Sequence, residues 1–260
     1  MKIFRYEFQG EVKYGILEEE YLRELECSPF ENIRPGKTKV KISEVRILAP
    51  SQPSKVVCLA YNFRAHAQEM GKKVPEEPVF FFKPPSSLIA HLEPIKLPEK
   101  IGRVDFGGEL AVVVKERFRN LPVDFEFEKY ILGFTIINDI TARDIANREG
   151  PFGKAKAFDT FTPAGPCILR GDKYRTFKLK TFLNSKIKQS SSMSNMIFPV
   201  NYSISYLSNI MTFEPGDIIS FGTPGGVDEI KPGDRIDVQI EEIGILSNPV
   251  IKEVSHEDIP

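Results

Sequence analysis

Tryptophan is absent from this 260-residue chain, and cysteine and histidine occur only three times each. Cys27, Cys58 and Cys167 lie far apart and form no Cys-x-x-Cys pair. An odd, scattered set supplies neither a disulfide framework nor a zinc site, and it fits reduced thiols in the cytoplasm. No stretch approaches the ~20 apolar residues of a membrane span, and residues 1–20 alternate charged and apolar positions without a signal-peptide core. The formal net charge is −1, which gives no field to steer nucleic acid or an anionic lipid surface, so neither is expected as a partner. There is no Gly-x-Gly-x-x-Gly, Gly-x-x-x-x-Gly-Lys-Ser/Thr, Gly-x-Ser-x-Gly or His-Glu-x-x-His. Dinucleotide folds, P-loops, the α/β-hydrolase elbow and zincin helices are thereby set aside.

What is present is an ordinary globular composition, 41% hydrophobic and 27% charged, on a chain long enough to bury a large core. Lys2–Phe8 and Val12–Leu17 flank Gln9-Gly10 as a hairpin, and Pro29, Pro35 and Gly36 break the stretch that follows. These features predict a small β-rich N-terminal domain over residues 1–50 and a second domain over 51–260. In the second, Leu110–Val114 and Ile131–Ile137 are continuous apolar runs of the kind a buried sheet requires. Asn184-Ser185 marks a second hairpin, between Phe177–Leu183 and Ile187–Gln189. Glu214-Pro215-Gly216-Asp217 and Lys231-Pro232-Gly233-Asp234 carry proline and glycine where a type II turn needs them, each before a strand, Ile218–Gly222 and Arg235–Ile240. Helices are expected at Asn62–Met70, Ala142–Arg148 and Val200–Met211. The fold class is α+β, mostly β, built on mixed sheets with few helices.

Five segments hold residues fit for chemistry. His66 and Glu69 stand at i and i+3, so on a helix they share a face and the carboxylate can fix the imidazole tautomer. A solvated ion pair is the plainer reading of that spacing alone. Period two places Asp105, Gly107 and Glu109 on one side of an extended stretch. Asp139 ends an uncharged run, Tyr130–Asn138, so it sits at the core edge and needs a partner, either an arginine such as Arg143 or a metal. Lys156 lies among small and aromatic residues, able to present an ammonium to an anion, whereas Lys154 is a solvent lysine. Ser220–Val227 ends a strand in a glycine-rich turn that can offer the Thr223 hydroxyl and bare N–H groups to a carboxylate.

In their order and spacing these segments, with Phe81–Ser87, Asn195–Phe198 and Pro215–Asp217, resemble the fumarylacetoacetate hydrolase family over roughly residues 55–250. The likeness is to its acylpyruvate hydrolase and hydroxyhepta-diene-dioate isomerase branch. The resemblance implies a multi-layered mixed β-sheet fold, a homodimer, Mg²⁺ or Mn²⁺, and a small 2-oxo or enol carboxylate as substrate. It implies His66 as general base with Glu69 as its orienting partner, and Lys156 as the third catalytic residue, at the oxyanion. Glu109 and Asp139 stand as metal ligands, with Lys83, Ser86 and Thr223 on the substrate. Two departures stand out: Gly107 replaces the first acid of the family's Glu-x-Glu, and Ala146 replaces a glutamine. The reaction so implied is carbon–carbon hydrolysis of a 2,4-dioxo acid through a metal-bound enolate. Oxaloacetate decarboxylation and hydroxy-diene-dioate isomerisation pass through similar enolates. A metabolite-binding member with little catalysis is the alternative that the two departures raise.

Overall fold

The computed structural model describes residues 1–253; residues 254–260, the end of the expected second domain, lie outside the described residues. Strands dominate, arranged in three sheets of twelve, five and two strands. The main path of the large sheet runs Pro35–Lys41, Tyr21–Leu25, Glu11–Glu18, Lys2–Phe8, Thr162–Leu169, Ile131–Asn138, Gly108–Val114, Ile218–Ser220, Val56–Ala60, Val79–Lys83. Most of its pairings are antiparallel, and Ile218–Ser220 runs parallel to Val56–Ala60. The sheets are mixed, as expected.

The central strands read as unbroken apolar runs because both faces of the sheet are covered. Leu110, Val112 and Val114 enter one core cluster and Ala111 and Val113 the other. Val57 and Leu59 are likewise separated from Val56 and Cys58. The first cluster is shared with the five-stranded sheet, which supplies Leu179, Ile236, Val238, Ile240, Leu246 and Val250. Burying every residue of Gly108–Val114 and Ile131–Asn138 fixes the two strands whose ends carry Glu109 and Asn138-Asp139.

Both hairpins form as expected. Gln9 and Gly10, and Asn184 and Ser185, all adopt positive φ, the geometry of two-residue turns that match strand twist. Gly216 and Gly233 sit at φ 89° and 97°, the third position of type II turns. The helices are Arg64–Glu69, Phe127–Tyr130, Arg143–Glu149 and Val200–Ile210; the second of these was not expected. Residues 1–50 do not form a sheet of their own. Lys2 and Ile3 pair with Leu169 and Ile168, so the N-terminal strands extend the large sheet.

One expectation fails in register. Val104–Asp105 and Gly108–Val114 belong to different sheets, so the alternation from Asp105 to Glu109 is interrupted at Phe106-Gly107. The chain turns there because Phe106 N–H is drawn to Asp228 O at 3.2 Å and Gly107 O accepts Asp139 N–H at 2.8 Å.

Candidate active site

The end of Ile131–Asn138 is tied to the start of Gly108–Val114. Gly107 N–H donates to Asn138 Oδ1 at 3.1 Å, beside the Asp139-to-Gly107 backbone bond. This clamp sets Asp139 at the sheet edge, buried at 6% exposure. Its side-chain partners are two lysines; Arg143, one of the two alternatives that the sequence left open, is not among them. Lys83 Nζ, from the end of Val79–Lys83, donates to Oδ1 at 2.8 Å and to Ile140 O at 3.0 Å. Lys156 Nζ, from the 3₁₀ turn Gly153–Lys156, donates to Oδ2 and to Thr141 Oγ1. Buried charges survive only when paired in this way. Burial favours the neutral Asp139 carboxyl, but the Lys156 and Lys83 charges outweigh it and hold the group below its usual range. Burial lowers Lys156, with Asp139 opposing and Lys83 assisting.

Glu109 enters from the second residue of its strand and accepts the Ser220 hydroxyl of the neighbouring strand. Burial, and after it the Asp139 charge, pushes its carboxyl up to about 8. Facing these groups is the short helix Arg64–Glu69. His66 Nδ1 lies 3.4 Å from Glu69 Oε2, and Glu69 also accepts Gly226 N–H at 3.1 Å. The Tyr61 ring stacks on the imidazole at 6.2 Å. Burial is the main cause that pushes His66 below its ordinary 6.5; Glu69 opposes it, while Arg143 and Lys156 add to it. The imidazole is therefore a neutral base at pH 7.

One cavity of about 40 Å³ joins them, with Tyr61, His66, Glu109, Asp139, Lys156 and Thr223 in its walls. Arg143 also lines it, a residue the sequence reading had set against Asp139. Its Nε instead donates to Asp105 Oδ2 at 2.7 Å, while Arg103 takes Asp105 Oδ1 at 2.7 Å. Asp105 is thus spent on two arginines and cannot stand in for an acid at Gly107.

Of the expected substrate residues, Thr223 is in the wall, its hydroxyl donating to Gly108 O at 2.9 Å. Lys83 is not among the lining residues; it lies beneath Asp139 at 1% exposure. Ser86 is exposed on the turn Pro85–Ser87, away from the cavity. Sequence reading also missed Gln189. This fully buried amide accepts Gly108 N–H at 3.0 Å and donates to Thr223 Oγ1 and Pro224 O, both at 2.8 Å. A buried glutamine in a polar strand of serines and lysines carries no local signal; only the sheet contact reveals it.

The donors can be weighed against the Mg²⁺ or Mn²⁺ that the resemblance implies. Glu109 and Asp139 are the two acids facing the cavity, and among the described residues no group of three His, Cys, Asp or Glu side chains gathers as a cage. Both Asp139 oxygens already accept from ammonium groups. Hard divalent ions prefer several oxygen ligands, and the remaining acid, Glu109, is already bonded to the Ser220 hydroxyl. The residues present do not fit a resident divalent ion.

With the geometry in place, comparison with known proteins is informative. Residues 55–251 match the family model described as "Fumarylacetoacetate (FAA) hydrolase C-terminal", and residues 1–50 match a model described as "Rv2993c-like, N-terminal". An uncharacterized protein of Archaeoglobus fulgidus is 44% identical over 82% of this chain and 85% of its own. Oxaloacetate tautomerase YisK of Bacillus subtilis is 37% identical over 83% of this chain and 76% of its own. A 5-carboxymethyl-2-hydroxymuconate delta-isomerase from Mycobacterium smegmatis superposes with a TM-score of 0.91 at 33% identity, covering 97% of this chain and all of that one.

Proposed function

The chain belongs to the fumarylacetoacetate hydrolase family, and from that premise we propose that it is a tautomerase or isomerase acting on a small 2-oxo carboxylate. The observation that carries this reading is the His66 imidazole and the buried Lys156 side chain set in the walls of one small cavity. Proton transfer at the carbon beside a 2-oxo group needs those two parts, a base and a cation that stabilises the enolate oxygen.

In this mechanism Arg143 and Lys156 bind the ligand's oxygens, with the 2-oxo oxygen on Lys156. His66 Nε2 takes the proton from the adjacent carbon, and the electron pair moves onto the 2-oxo oxygen. Glu69, on Nδ1, steadies the imidazolium while it exists. The same proton returns to oxygen, giving the enol, or to a carbon further along a conjugated chain, giving the isomer. Thr223, held by Gln189 and Gly108, shapes the wall opposite. Relatives named as oxaloacetate tautomerases and a structural neighbour named as an isomerase support this reaction class.

Carbon–carbon hydrolysis of a 2,4-dioxo acid is the second reading. His66 keeps 9% exposure, so the same base borders solvent and could take a proton from water. Family members commonly use divalent metals, and Glu109 and Asp139 are the positions that correspond to their ligands in this chain. Homodimerisation is proposed on the resemblance, and a cytoplasmic setting on the odd, scattered cysteines.

The test is to follow the enol absorbance of freshly dissolved oxaloacetate, and of an acylpyruvate, with the parent and with His66→Ala. Faster enol-to-ketone conversion is expected, reduced by roughly 10²–10⁴-fold in the variant, the usual worth of a positioned base. Loss of carbon dioxide from oxaloacetate would instead identify a decarboxylase, and acylpyruvate cleavage a hydrolase. A thermal shift by pyruvate without turnover of either substrate would leave a binding protein.

A further inference from the structure

The ion pairs around the cavity leave unequal remainders. Asp139 is consumed by Lys83 and Lys156, and Asp105 by Arg103 and Arg143. Glu109 is engaged by Ser220. On the cationic side, free donors are left over. Lys156 uses its ammonium on Asp139 and Thr141, two of three hydrogens. Arg143 is anchored through Nε alone, and its terminal nitrogens have no protein partner among the described residues, although it lines the cavity with 17% of its side chain exposed. Nothing at Gly107 redresses the sign. A Cβ there would lie 3.3 Å from the Thr223 side chain, which is in the cavity wall, so this position faces the site without bringing a carboxylate to it. A dication entering meets the Lys156 ammonium and the Arg143 guanidinium; an anion meets preorganised donors.

We propose that this cavity is an anion site, in which Lys156 and Arg143 bind the carboxylate and 2-oxo oxygens of the ligand directly, with no divalent cation required. The inference rests on the 2-oxo carboxylate reading above and deepens it by naming what neutralises the ligand. Arg143 is suited to the carboxylate because a guanidinium held at Nε still presents its two terminal N–H₂ groups in a fork. Lys156 is suited to the 2-oxo oxygen because its packing over the Phe81 ring, 4.5 Å to the centroid, holds the ammonium in a dry wall.

Oxalate is the probe, since its adjacent oxygens copy those of a 2-oxo acid enolate. It is titrated calorimetrically into the full chain in EDTA, and again with Mg²⁺ in excess. Binding in EDTA is expected, with an affinity that Mg²⁺ changes by less than about tenfold, the lower bound for what even a supporting contact to a working metal contributes. Arg143→Gln and Lys156→Gln should each weaken binding in EDTA by at least about tenfold, as befits a lost charge-assisted hydrogen bond. Should Lys156→Gln not fold, Arg143→Gln decides alone, because Arg103 still covers Asp105 in that variant. Oxalate binding that appears only with Mg²⁺, or unchanged affinity in Arg143→Gln, overturns the proposal while the 2-oxo carboxylate reading stands. If oxalate and pyruvate fail to bind in either medium, and no 2-oxo acid is turned over, both fall together.

Discussion

Gly107→Glu should create the affinity for Mg²⁺ that the parent lacks. A Cβ at this position abuts Thr223, which is in the cavity wall with Glu109 and Asp139, so a glutamate there is expected to reach the same space. The steric cost is set by Thr223, whose Cβ, Cγ2 and Oγ1 all lie 3.3 Å from the new Cβ. That side chain is pinned by Gln189 and Gly108 O, so it must give by a few tenths of an ångström, costing about 1–3 kcal/mol as overpacking usually does. The electrostatic gain is larger in the presence of metal. A third cavity carboxylate outnumbers the two cations that line it, Lys156 and Arg143, and repulsion among the acids is relieved only when a cation sits between them. An affinity at least about tenfold above the parent's is expected. At saturating Mg²⁺ that factor corresponds to about 1.4 kcal/mol of extra stabilisation, roughly 3–6 °C for a chain of this size. Calorimetric titration with Mg²⁺ gives the affinity, and melting with and without the ion gives the shift. A variant that folds with the parent's near-ultraviolet spectrum yet binds Mg²⁺ no better would refute the placement of Gly107 beside Glu109. Thr223→Ser, which removes the Cγ2 methyl, should lessen the steric cost without altering the metal response.

Three further outcomes are expected. Because burial lowers His66 below 6.5, the acid limb of kcat/KM should fall below pH 6.5, and a limb above that value would deny His66 the role of base. The same depression means the unfolded chain takes up the proton first, so stability should decline as pH drops from about 6.5 toward the folded value; denaturant midpoints of parent and His66→Ala isolate this contribution. Gln189→Ala strands Gly108 N–H and Pro224 O in the interior and should cost about 2–6 kcal/mol, at roughly 1–3 kcal/mol per orphaned group, read from urea melts. The segment Asn62–Pro78 carries His66, Tyr61 precedes it in the wall, and Gly71 turns the chain at φ 64°; its amides should gain hydrogen-exchange protection with oxalate, and equal protection in both states would exclude a closing lid.

Local chemistry made much of this legible from sequence. Gln9-Gly10 and Asn184-Ser185 announce hairpins because few residues tolerate positive φ, and Pro215-Gly216 and Pro232-Gly233 announce turns for the same reason. His66, Glu109 and Asp139, from three separate segments, line one cavity, with Glu69 on the His66 ring. What escaped notice was fixed by long-range contact. Asp139 carries no mark of whether it meets Arg143 or Lys83, since the choice is made by a strand 56 residues away in the chain. Alternation could not carry Asp105 to Glu109, because the chain changes sheets between them. Gln189 and Ser220 look like solvent-facing polar residues until the neighbouring strand arrives.

The seam between the first strands and the rest of the large sheet is narrow. Lys2 and Ile3 supply the two ladder positions against Leu169 and Ile168, whereas six positions join Lys2–Phe8 to Glu11–Glu18. A module stitched on by so few rungs can be gained or shed by recombination with little disturbance to the strands that carry the cavity. Its removal, though, would bare the flank of Thr162–Leu169, and an uncovered apolar strand invites pairing between molecules. Lineages that discard the module would therefore be under pressure to cap that flank anew, with charge, proline or a second subunit. In this chain it is Lys2 and Ile3 that cover that flank at Leu169 and Ile168, far from the residues that line the cavity.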